Sequence, residues 1–227
     1  MPHVPDLIAT LTTMRTDTDQ AIELGHTLQE HCIARVALYT TTYQHAGRLG
    51  GRLIGPDAVD AAIETAERAR DDVSGPDEHL ESWAEALGAL RAPLEAATAA
   101  TGTVAARSLT NKQLFADGAV AVGRALTVLD LRRSELARKA EAVRGLPGAT
   151  HPEARRRLVD LKAWAERNVR TEDDLFEPFT EWWFTQFQQS PVSLPSSPLP
   201  SFYQALRCLS PGPQTVVDLT SVILATN

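Results

Sequence analysis

The sequence predicts an all-α fold, a bundle of about six or seven helices with a proline-rich C-terminal segment packed on it. Apolar residues recur at steps of three and four along most of the chain, the spacing of one helical face. Gly55-Pro56, Ser74-Gly75-Pro76 and Gly145-Leu146-Pro147-Gly148 cut that pattern into helix-sized lengths. Prolines then crowd the stretch from Ser190 to Pro213, and no segment elsewhere offers a partner strand. The expected division is a bundle domain over 1–189 and a docked segment over 190–227.

A short helix is expected from Asp6 to about Met14. Thr16-Asp17-Thr18-Asp19 then reads as a capping box opening a second helix. That helix carries Leu24, Leu28, Cys32, Val36, Tyr39, Tyr43 and Ala46 on one stripe, with Arg35 among them, and ends near Arg48. Asp57 to Val73 forms the next helix. Pro76 opens another, with Leu80, Trp83, Leu87, Leu90, Leu94 and Ala97 at bundle spacing, kinked at Pro93 and closed by Gly102. Thr103 to Arg144 is the longest clean pattern, its face made by Val104, Phe115, Ala119, Val122, Leu126, Leu129, Leu136 and Ala140.

Pro152 starts a helix with Leu158, Leu161 and Ala165 inward. Leu161, Ala165, Phe179 and Trp183 stay in phase, so this helix is read as running through Pro178 with a kink, although Thr171-x-x-Asp174 offers a fresh cap there. Beyond it, polyproline-like loop is expected around a short helix near Ser201–Leu209. The β-branched end from Thr215 is read as a helix capped by Thr215-x-x-Asp218.

A formal charge of -7 argues against nucleic acid as the main partner, because backbone phosphates need a basic face. No apolar run approaches the ~20 residues that cross a bilayer. Met1–Asp6 lacks the basic and apolar regions of a signal peptide, and the two cysteines, Cys32 and Cys208, suggest neither a disulfide framework nor a zinc site. A cytoplasmic protein in a reducing compartment is the expectation.

Of 10 Trp and Phe residues (4 and 6), seven lie between Trp164 and Phe187: Trp164, Phe176, Phe179, Trp182, Trp183, Phe184 and Phe187. So dense a cluster has to pack against other helices, line a pocket or meet a partner. The first functional reading is a pocket walled by Trp164, Phe179, Trp182 and Trp183. It would bind a small apolar or weakly anionic organic ligand, oriented by Arg35, Tyr39 and Arg133.

Chemistry in such a pocket would be cofactor-free proton transfer of the cyclase, isomerase or dehydratase type, since no phosphate-cradling glycine loop follows a strand. His31, Asp130 and Glu172 are the acid–base candidates. Each has a bland counterpart: a hydrogen-bonded structural histidine, an Asp130–Arg133 pair one turn apart, and a carboxylate favouring the dipole of a helix start. Arg35 on an apolar stripe is either an anion clamp or half of an internal ion pair.

The second reading uses the aromatic cluster as a protein–protein or homodimer hot spot. A third, a metal-carboxylate bundle, rests on Glu23-x-x-His26 and Glu30. It ranks last because no second Glu-x-x-His exists and these residues lie opposite the apolar stripe.

Overall fold

The structure is a computed structural model that describes residues 4–52, 56–71, 78–146, 150–189 and 198–226, with side chains placed for most of them. The described residues form six helices and no strand: α1 (Val4–Arg52), α2 (Pro56–Asp71), α3 (Glu78–Val143), α4 (Pro152–Gln189), α5 (Leu199–Leu209) and α6 (Pro211–Ala225). The all-α bundle is thus as expected. The Ser74-Gly75-Pro76 break and the polyproline stretch 190–197 lie outside the described residues.

Two sequence-derived boundaries are corrected. The capping box at Thr16–Asp19 is interior to α1. Thr18 is fully buried and its hydroxyl donates to the Met14 carbonyl at 2.7 Å, while Thr16 does the same to Thr12 at 3.1 Å. Such back-bonding lets Thr sit mid-helix, and α1 repeats it at Thr10, Thr12, Thr27 and Thr40–Thr42.

Likewise Gly102 does not end a helix, and α3 runs through both it and Pro93. Gly costs only about 1 kcal/mol against Ala in a helix, and the alanine-rich flanks here absorb that. The stop at Gly145 is confirmed. Its φ of 74° needs glycine, and the Arg144 N–H closes on the Ala140 and Glu141 carbonyls. α4 passes through Pro178 as one helix, and the C-terminal end is helical, as read.

The chain divides into two compact units: Met1–Ala34 with Phe115–Asn227, and Arg35–Leu114. In the first, buried positions alternate by three and four on every helix. On α1 they are Leu7, Leu11, Met14, Thr18, Ala21, Gly25, Leu28 and Cys32, and on α3 Phe115, Gly118, Val122, Ala125, Leu129 and Leu136. This is coiled-coil spacing, in which each apolar seam faces its neighbour.

One core cluster joins Leu7, Leu11 and Met14 of α1, Leu136 and Val143 of α3, Leu158, Leu161, Trp164 and Ala165 of α4, and Val216 and Ile223 of α6. α6 packs along α4 and completes the core. Cys32 is buried in this unit, and desolvation pushes its thiol up to about 12, which keeps it an inert apolar side chain at ordinary pH.

The second unit contains the rest of α1 and α3, and α2. Arg91 of α3 pairs with Asp60 of α2 at 3.3 Å. Among its described side chains only Ala46 and Ser108 are buried, and Leu38, Tyr43, Val104 and Leu109 remain between 41% and 50% exposed. Val104, placed on the inward face of α3 by its periodicity, is one of these.

Candidate functional site

The described rings of the Trp164–Trp183 cluster are spent on packing. Trp164 is buried, its indole N–H donates to Glu135 Oε2 at 3.0 Å, and the Lys139 ammonium sits 5.8 Å from its ring centroid. Phe179 meets Trp182 at 6.0 Å and Phe202 of α5 edge-on at 4.9 Å. Two glycines make room for these rings. A Cβ on Gly25 would lie 2.9 Å from Phe202 Cε2, and one on Gly118 would collide with the Trp182 indole. Trp183 is half-buried and stacks on Tyr203 at 5.0 Å, with 5° between the planes. Together these contacts seat α5 on α1 and α4.

Along the α1–α5 seam opens a groove of about 700 Å³, lined by Asp17, Gln20 and Leu24 of α1 and Ser201, Gln204, Ala205 and Cys208 of α5. The α1 residues are spaced by three and four, and so fall on one helical face. Gln20, Ser201, Gln204 and Cys208 are exposed, and Asp17, Leu24 and Ala205 half-buried. The lining therefore offers two amides, a hydroxyl, a carboxylate and a free thiol over an apolar strip.

A cation lies near the carboxylate. Burial pushes the Arg132 guanidinium down to about 10, and the nearby Asp17 charge pulls it back up, so it stays a cation at neutral pH.

The other sequence candidates are dispersed. Asp130 accepts Arg133 Nη2 at 2.8 Å, with Asp19 at 3.8 Å from the same guanidinium, all half-exposed. His31 stands edge-on to Phe115 at 6.1 Å. Arg35 and Tyr39 are half-buried in the second unit. The backbone of Glu172 lies within α4, and its side chain lies outside the described residues.

Glu23, His26 and Glu30 are exposed on α1, and among the described residues no three His, Cys, Asp or Glu side chains gather closely enough to hold a metal ion. Among those residues, too, no helix is long and apolar enough to cross a membrane.

Arg132 and the groove were missed by the sequence reading. The signal for Arg132 was present: stepping by four and three from Ala125 through Leu129 reaches residue 132, and four more reach Leu136. The groove had no comparable signal, because its α5 wall is brought to α1 only by the fold. No protein-family model matches this chain, and no curated protein and no solved structure matches it either.

Proposed function

We propose that this is a small-molecule-binding helical protein whose ligand lies in the α1–α5 groove. The observation that supports this reading is the groove itself, of a size that holds a small organic molecule and lined by a few polar groups beside an apolar strip. The anionic ligand suggested by Arg35 and Arg133 is not favoured, because Arg133 is engaged by Asp130 and Asp19. Asp17 is the only charged group among the described lining residues, and the cationic Arg132 lies near it; the other polar groups are neutral. An uncharged ligand with hydrogen-bonding amide or hydroxyl groups on an apolar frame fits it. Any proton transfer in the groove would fall to Asp17, the carboxylate on its wall.

A thiol probe tests this directly. Cys32 is buried, so a bulky maleimide should modify Cys208 alone in the native protein. Ligands found by ligand-observed NMR should lose binding after that modification, with the melting temperature unchanged. Ligands that bind the labelled protein equally well would place the site elsewhere.

A second reading, association with another protein or a second copy, is favoured by the thin burial of the described residues in the Arg35–Leu114 unit. Leu109→Glu should then shift an oligomer to monomer in light scattering. A wild type that is monomeric at high concentration and gains no stability from any partner would remove this reading.

A further inference from the structure

Pro213 has no N–H to give the Leu209 carbonyl one helical turn before it. Leu209 is buried, so the carbonyl needs another donor. Arg132 supplies it from α3, its Nη2 donating at 3.0 Å. Pro211 similarly deprives the Arg207 carbonyl, which takes the Ser210 N–H at 3.4 Å.

Ser210 itself keeps helical dihedrals, φ -63° and ψ -38°. The buried positions Leu199, Phe202, Leu206, Leu209, Pro213, Val216, Thr220 and Ile223 alternate by three and four straight across it. α5 and α6 thus keep one helical register across a junction where two prolines interrupt the hydrogen-bond ladder. Arg132 closes the interruption, and the charge of Asp17, on the α1 wall of the groove, favours its charged form.

We propose that Arg132 is a positioning residue that clamps the α5–α6 junction to α3 and thereby fixes the α5 wall of the groove. Its link to ligand binding rests on the function proposed above; the clamp itself is testable without any ligand.

The experiment compares amide hydrogen exchange in wild type, Arg132→Met and the double variant Arg132→Met/Pro213→Ala. In Arg132→Met the amides of α5 should exchange about tenfold faster or more, the equivalent of one lost charge-assisted hydrogen bond, while α1 amides around Leu28 keep their wild-type rates. In the double variant position 213 regains an N–H for the Leu209 carbonyl, so α5 protection should return although Arg132 is still missing. A groove ligand should follow the same order, bound more weakly in Arg132→Met and with affinity regained in the double variant.

Unchanged α5 exchange in Arg132→Met overturns the clamp. So does a double variant that stays unprotected, or that fails to fold. If exchange behaves as stated but Cys208 labelling displaces no ligand, the groove reading fails and the clamp stands.

Discussion

Phe202→Ala is expected to lower stability by about 3–5 kcal/mol, the usual cost of emptying a buried aromatic site. Phe202 is fully buried, packs edge-on to Phe179, and fills the space that Gly25 leaves on α1. Its loss removes the contact that seats α5 on both α1 and α4. Gly25 has no side chain and Leu126 already lies against that backbone, so little can collapse into the gap. Set against a typical total of 5–15 kcal/mol, the loss is large enough to shift the melting temperature by about 10 °C. Phe202→Leu should cost far less, because it keeps most of the volume. A loss below about 1 kcal/mol in Phe202→Ala would mean that α5 is not seated as described.

Gly118→Ala should change sign with its background. In the native chain the new methyl meets the buried Trp182 indole, whose ring cannot swing away past Phe179. Overpacking of this kind costs about 1–3 kcal/mol, against roughly 1 kcal/mol gained by replacing glycine inside a helix. Trp182→Ala alone should cost about 3–5 kcal/mol. On that background the collision is gone, so Gly118→Ala should stabilise by its propensity gain and by partly filling the cavity. A double-mutant cycle read by denaturant unfolding measures the coupling. Equal effects of Gly118→Ala in both backgrounds would show that the two residues do not touch.

Helix identity was legible wherever apolar steps of three and four persisted, and it survived even the proline-rich C-terminal end. Boundaries were less legible, for a shared reason. Thr18 resembles an N-cap by residue type, and Gly102 resembles a stop. Yet a Thr hydroxyl can bond the carbonyl four residues back, and one glycine costs less than the helix around it returns. Continuity of the buried seam from Met14 through Thr18 to Ala21 was the better guide.

The aromatic residues show a different limit. Composition demanded that Trp164, Phe179 and Trp182 be covered, and they are. It could not say by what, because the answer lies in distant residues: Gly118 for Trp182, Phe202 for Phe179, and Glu135 and Lys139 for Trp164. For the same reason the groove could not be read from sequence, since Gln20 and Gln204 meet only through tertiary packing.

α1 and α3 each begin or end in a unit rich in interlocking side chains and continue into one where few of the described side chains are buried, and this bears on how the chain unfolds. Cooperativity travels through side-chain contacts far more than along a backbone ladder, so each of these helices is two thermodynamic segments under one set of hydrogen bonds. All-or-none melting then fails as a description of the chain. Heat or denaturant should first release the Arg35–Leu114 segments and only later the buried seam of residues 7–32 and 115–136. A single midpoint would average two transitions, and free energies from substitutions such as Phe202→Ala belong to the second alone.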